Sequence, residues 1–268
     1  MTADVMKEDD VQEVANPEDC YLAQEYGEIA EMDELAKEEV HEFEIVWKYV
    51  FILLGLHIAA AMGILLALYA KIITIIYAFS IGWYMMTSIT AGAHRLWTHK
   101  AFKNYVIKWA RNHRCHHKWT DSDADPHNIN RGFFFAHMGW LMLKKHPKVF
   151  EMGKKIDMSD LEADPMLAFQ KKYFLIIAPT LFAIVSAIPF FLWNEHPFVC
   201  FFTVGFTRLV LGYHGSWVIN SAAHSFGYKP FDTKISAVDN GYLATFTGGE
   251  GWHNYHHAFP QVSYIKTI

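Results

Sequence analysis

Val50-FILLGLHIAAAMGILLALY-Ala70, then the single charge of Lys71, then Ile72-ITIIYAFSIGWYMMTSITAG-Ala93: this stretch decides the fold class. Each block is apolar almost throughout, and at 1.5 Å per residue each matches a bilayer core about 30 Å thick. With one residue between them the two blocks predict a tight transmembrane hairpin. His57 interrupts the first block, and a lone neutral histidine in a span reads as a helix-packing residue.

Upstream, Glu42-Phe-Glu-Ile-Val-Trp-Lys48 reads as an approach to the membrane, with Trp47 and Lys48 suited to its interface. Residues 1–44 hold 16 acidic against two basic side chains, a local charge of −14 within a chain of net charge −5. They predict a solvated, disordered tail, distinct from a membrane domain over 45–268. Such an opening is neither a signal peptide nor a nucleic-acid arm. Downstream, Tyr173–Trp193 and Phe198–Asn220 form a second hairpin around the turn Asn194–Pro197, with Arg208 inside its second arm. An arginine there is costly unless it faces protein or snorkels. The expected architecture is an all-α membrane protein of four spans, about 50–70, 72–93, 173–193 and 198–220, under a histidine-rich helical cap. Two hairpins return every long polar segment to one side. That side carries 15 of the 23 basic residues within 94–172, which predicts the cytosol.

The cap is organised around His113-Arg-Cys-His116-His117, whose spacing puts three imidazoles on one helical face. The spacing recurs at His253-Asn-Tyr-His256-His257, a looser pair stands at His94 and His99, and Asn220 and His224 lie one turn apart. Nine of the sixteen histidines are involved, too many for one ion and reasonable for two, so a dinuclear all-nitrogen metal site is expected. Cys115 falls on the opposite face, and Cys20, Cys115 and Cys200 show no disulfide or CxxC pattern. His127, within Asp-Pro-His-Asn, reads as part of a turn. His137, His146, His196 and His214 lack partners at ligand spacing, and Glu250 is placed to orient His253.

A metal cluster above an apolar bundle suits an apolar substrate, and two ions suit redox work on O₂ better than hydrolysis. No GxGxxG follows a strand, so electrons must come from a separate donor.

Gly92-Ala-His-Arg-Leu-Trp-Thr-His99, Trp109-Ala-Arg-Asn-His-Arg-Cys-His-His-Lys118, Asp123-Ala-Asp-Pro-His-Asn128, Asn220-Ser-Ala-Ala-His224 and Gly249-Glu-Gly-Trp-His-Asn-Tyr-His-His-Ala-Phe-Pro260 together resemble the membrane acyl-CoA Δ9-desaturases, the stearoyl-CoA desaturase family, from about Glu44 to Pro260. The resemblance implies an endoplasmic reticulum enzyme of fatty acid biosynthesis. It would introduce a cis double bond into a saturated acyl-CoA with two Fe²⁺ ions, O₂, and electrons from cytochrome b5 and its reductase. It further implies that His94, His99, His113, His116, His117, His224, His253, His256 and His257 bind the irons and that Asn220 holds a water on one of them. Arg111, Asn112, Lys144 and Lys145 would contact coenzyme A, while Trp109, Ser216 and Trp217 would line the bend of the acyl tunnel and Gly82 and Met86 its closed end. Asn112 stands where the family has aspartate, and Ser216 where it has threonine.

Two departures bear on turnover. The family has a longer insert between His99 and His113, where Lys100–Asn112 is here a connector of 13 residues, and it continues beyond Pro260 differently from Gln261–Ile268. Extended, the connector spans roughly 43–47 Å, so the boxes can still converge. The alternatives left open are a catalytically inactive, truncated desaturase-like membrane protein and a fatty-acyl hydroxylase, which shares histidine boxes.

Overall fold

A computed structural model describes residues 41–88 and 105–260. Residues 1–40 of the acidic tail, His94, His99 and Gln261–Ile268 lie outside the described residues. In chain order the main helices are α1 (Trp47–Leu66), α2 (Ile72–Thr87), α3 (Tyr105–Lys118), α4 (Phe133–His137), α5 (Pro165–Trp193), α6 (Arg208–Ser221), α7 (Gly241–Thr247) and α8 (His253–Ala258). Among the described residues there is no extended strand, only isolated bridges such as Ile45 with Leu143.

Helix α1 buries only Leu53, Ala60 and Gly63, spaced to fall on one face, and exposes large apolar side chains such as Phe51 (65%) and Ile58 (61%) on the others. A helix apolar all round, with its protein contact restricted largely to small residues, is built to sit in lipid. Its partner is an unusual stretch: Pro197–Val199 runs through eight π-helical residues, Cys200–Thr207, into α6. Thr203 and Thr207 donate their hydroxyls to the carbonyls of Gly63 (2.7 Å) and Ala60 (2.8 Å). A Cβ at Gly63 would collide with Thr207 Oγ1 and the Phe202 carbonyl, so only glycine permits this approach. Arg208 is not stranded: its Nε donates to the Val204 carbonyl (2.8 Å) and its guanidinium meets Met85 Sδ at 3.4 Å.

Among the described residues, three helical stretches are long and apolar enough to cross a membrane: Trp47–Tyr69, Pro165–Trp193 and Pro197–His224. The chain is therefore a membrane protein. The fourth expected span is represented by α2, apolar but with 16 residues described, and its predicted end at Ala93 lies outside the described residues. The third begins earlier than the sequence suggested, at Pro165 rather than Tyr173, because Asp164 caps the helix by accepting from Met166 N (2.8 Å) and Pro165 fits the first turn.

At the ends remote from the cap, the two hairpin tips are tied together. Glu195, 3% exposed, accepts from Lys71 N (2.9 Å) and from the Thr74 hydroxyl through one oxygen, and from His196 N (2.9 Å) through the other. Trp193 Nε1 donates to Thr74 Oγ1 (2.8 Å), and the Lys71 ammonium donates to the carbonyls of Trp193 (2.6 Å) and Asn194 (2.7 Å). Asn194 closes α5 in the left-handed conformation (φ 54°).

Candidate metal centre

Helix α3 carries His113, His116 and His117 on its last turns, the 3₁₀ turn after α6 carries His224, and α8 opens with His253 and continues to His256 and His257. The fold brings these seven imidazoles into two groups. In the first, nitrogens of His116, His224, His253 and His257 all lie within 4.8 Å of one another; in the second, those of His113, His117 and His256 do. His253 Nε2 is 3.1 Å from the Nε2 atoms of both His224 and His257, while His117 Nε2 is 3.0 Å from His113 Nε2 and 2.9 Å from His256 Nε2. The rings of His117 and His257, one from each group, stack at 4.1 Å.

The outer nitrogens of the first group reveal its tautomers. His116 Nδ1 lies 2.9 Å from both oxygens of Asp125, so it carries the proton and Nε2 keeps its lone pair. Thr120 donates its one hydroxyl hydrogen to the His116 carbonyl, so toward His257 Nδ1, 3.3 Å away, Oγ1 can only accept. His224 Nδ1 meets Ser236 Oγ at 2.7 Å. Several Nε2 lone pairs thus converge on one small volume, and that of His116, in a side chain 1% exposed, has no hydrogen-bond partner. A buried acceptor left bare costs about 1–3 kcal/mol. A transition-metal cation would satisfy it, and the all-imidazole donor set fits one.

Protonation agrees in part. Burial, aided by the neighbouring imidazoles His117 and His253, holds His257 well below the usual histidine range and therefore neutral, as a ligand must be. For His116 burial acts the same way but is outweighed by the Asp125 carboxylate, so its affinity for a proton rises; a bound cation would take that proton's place.

Asn220 is half-buried one turn before His224. Among the other expected site residues, Trp109 stacks on His113 with centroids 5.0 Å apart and rings 6° from parallel. Lys145 Nζ donates to Asn112 Oδ1 (2.6 Å), so the amide keeps the acceptor that an aspartate would supply. Lys144 instead reaches out to Glu44 at the exposed surface (2.5 Å), and the Arg111 side chain passes beside Gly153. Trp217 is buried against His214 and His137, and Ser216 Oγ turns back to the Gly212 carbonyl (3.4 Å). Met86 fills the notch left by Gly215.

Sequence reasoning missed a second set of histidines. His57 donates from Nδ1 to the Leu53 carbonyl (2.7 Å) and accepts at Nε2 from His214 (3.0 Å); His214 accepts at Nδ1 from His137 Nε2 (2.9 Å), whose Nδ1 faces the Ser221 hydroxyl (2.9 Å). Burial and the neighbouring His214 keep His137 below the usual range, consistent with a neutral chain. His146 and His196, without partners at ligand spacing, cap helix starts by accepting from Lys148 N and Phe198 N. His127 lies in a turn, as its sequence context predicts, and is buried edge-on to Trp140 with centroids 4.3 Å apart.

Comparison with known proteins agrees with these motifs. The profile described as "Fatty acid desaturase" matches residues 104–266. The chain is 46% identical to the Delta(9)-fatty-acid desaturase fat-6 of Caenorhabditis elegans over 271 residues, covering 94% of this chain and 80% of that protein. It is 44% identical to the Acyl-CoA Delta-9 desaturase of Acheta domesticus, covering 83% of this chain and 67% of the cricket protein. A second cricket protein, the Acyl-CoA Delta12-desaturase, is 42% identical over 83% of this chain and 68% of its own length.

Proposed function

This chain belongs to the fatty acid desaturase family of oxidoreductases, and we propose that it introduces a cis double bond at Δ9 of a saturated fatty acyl-CoA. The reading rests above all on the bare, buried Nε2 of His116 at the focus of three further imidazoles. The seven described histidines, with His94 and His99, would hold two Fe²⁺ ions, with Asn220 placing a water. When bound, the irons supply the reduction of O₂ that removes two hydrogens from the acyl chain. Overall, the saturated acyl chain, O₂, two electrons and two protons become the unsaturated chain and two waters, so an external one-electron donor is needed, for which we assign cytochrome b5 and its reductase. The cap then faces the cytosol from the endoplasmic reticulum membrane, in keeping with the basic residues of 94–172.

The chain's own residues orient and enclose. Asp125 fixes the His116 ring, and Thr120 holds His257. Lys145, steadied by Asn112, offers a compact positive charge to coenzyme A phosphate, and Arg111 and Lys144 would add theirs. Trp109, Ser216 and Trp217 would line the bend where the acyl chain passes the imidazoles. The position Δ9 follows the Caenorhabditis elegans relative, while the two Acheta domesticus proteins at 44% and 42% identity are named for different positions, so the double-bond position is the deciding measurement. Purified full-length protein is expected to carry about two irons per chain and, with stearoyl-CoA, O₂, NADH, cytochrome b5 and its reductase, to yield oleoyl-CoA by mass and double-bond position. Protein that binds no iron overturns the metal reading, and iron-loaded protein without product overturns the enzymatic one.

A further inference from the structure

Asp121 lies just past the end of α3 with φ 65°, a left-handed conformation uncommon outside glycine. Aspartate tolerates it better than most residues, and such a backbone persists where its surroundings over-determine it. Here three contacts do so. Its backbone N–H donates to Asp125 Oδ2 (3.0 Å), the carboxylate that holds His116. Its own carboxylate accepts twice from one residue, from Ser236 N at Oδ2 (2.7 Å) and from the Ser236 hydroxyl at Oδ1 (2.5 Å). Having given its only hydrogen to Asp121, Ser236 Oγ must accept from His224 Nδ1, 2.7 Å away. That fixes the His224 proton on Nδ1 and leaves its Nε2 lone pair facing His253.

We propose that Asp121 and Ser236 are positioning residues of the metal centre: a carboxylate, hydroxyl and imidazole relay that sets the tautomer of His224 and, through the Asp121 backbone, joins it to the Asp125 support of His116. The proposal deepens the metal reading above and rests on it. Asp121 falls past the end of α3, where helical spacing no longer places side chains, and Ser236 has no spacing relation to the histidines. Ser236 comes 12 residues after His224 in a non-helical loop, and only the fold brings it to Asp121, 115 residues earlier.

The chemistry distinguishes two substitutions. Ser236→Ala removes the acceptor for His224 while leaving the backbone N–H on Asp121. Asp121→Asn keeps a residue that accepts a left-handed backbone but presents an amide N–H toward Ser236, turning the hydroxyl around so that it donates to His224 Nδ1 and the imidazole proton moves to Nε2, against the metal. Loss of such outer supports typically lowers metal affinity 10–100-fold.

The test is chelator competition for Fe²⁺ and Co²⁺ on the purified full-length chain, read alongside thermal melting of the metal-free protein. Both variants are expected to bind one of the two ions 10–100-fold more weakly, Ser236→Thr to restore binding to within about threefold, and the metal-free melting midpoint to stay near that of the wild type. Wild-type protein that binds two ions, beside Ser236→Ala and Asp121→Asn proteins that bind both equally well, overturns this proposal alone. So does a loss of affinity matched by a fall in the metal-free melting midpoint that Ser236→Thr does not reverse. Wild-type protein that binds neither metal overturns the proposal together with the reading beneath it.

Discussion

The two ends of the helical bundle each gather polar side chains from distant parts of the chain, and they differ in whether those groups satisfy one another. At the hairpin tips, Thr74 both donates to Glu195 and accepts from Trp193, the Glu195 carboxylate takes three donors, and the Lys71 ammonium takes two carbonyls. Nothing there asks for a ligand. At the cap, the outer nitrogens of His116, His224 and His257 are partnered while the inner Nε2 of His116 is not. A buried polar cluster that closes on itself is a joint; one that leaves lone pairs converging on a single volume is a site.

The largest way to break this contrast is to remove His116. His116→Ala should lose an ion from the four-histidine group and reduce product below detection, measured by iron analysis and acyl-chain mass, while the chain still folds. The reverse experiment acts on the tips. Glu195→Ala strands Thr74 and the Lys71 backbone and should cost about 3 kcal/mol of stability, from loss of a buried charge-assisted cluster, with two ions still bound per folded chain. If it lost metal in proportion to stability, the two ends would not be independent. Asp125→Asn sharpens the comparison further: it should weaken metal binding by about 10–100-fold in chelator competition, because the His116 ring is no longer locked.

The smallest effect is on pH. His127 is held well below the usual histidine range by burial, with the charges of His116 and Lys145 acting in the same direction. Its folded-state pKa is depressed, so the unfolded chain binds the extra proton. Stability of the metal-free protein is therefore full above about pH 6.5 and falls as pH drops below it, by up to about 1.4 kcal/mol per pH unit for this one group. His127→Leu should flatten that slope in denaturation measured between pH 7 and 5; an unchanged slope would assign it to another buried histidine lowered in the same direction, such as His257.

What the sequence made legible was periodic. An apolar run as long as Val50–Ala70 could only be a span, and histidines at i, i+3 and i+4 could only share a face, so α1, α3 and α8 and the convergence of seven imidazoles were within reach. The start of α5 was misplaced because Lys171 and Lys172 interrupt the hydropathy, although Asp164-Pro165 is a helix-start signal that could have located it. Contacts set by tertiary approach were not legible at all. His57 and His214 lie 157 residues apart, and a residue-by-residue reading made His57 a helix-packing residue and left His214 without a partner at ligand spacing. Ser236 shows the same limit, since a serine in a loop carries no pattern until Asp121 is beside it. The outcome for His94 and His99 lies outside the described residues.

The widened turns at Cys200–Thr207 carry an implication for how this membrane segment is phased. The lower part turns Thr203 and Thr207 toward α1, and the upper part presents Trp217 to the cap and ends at His224. An ordinary helix advances 100° per residue, so one surplus residue absorbed in wide turns is enough to swing everything after it by roughly that angle. Deleting a single residue there would keep the segment's apolar character and nearly its length, yet rotate His224 away from its companions. The histidine cluster thus depends on an irregularity that lies well before His224 in the chain.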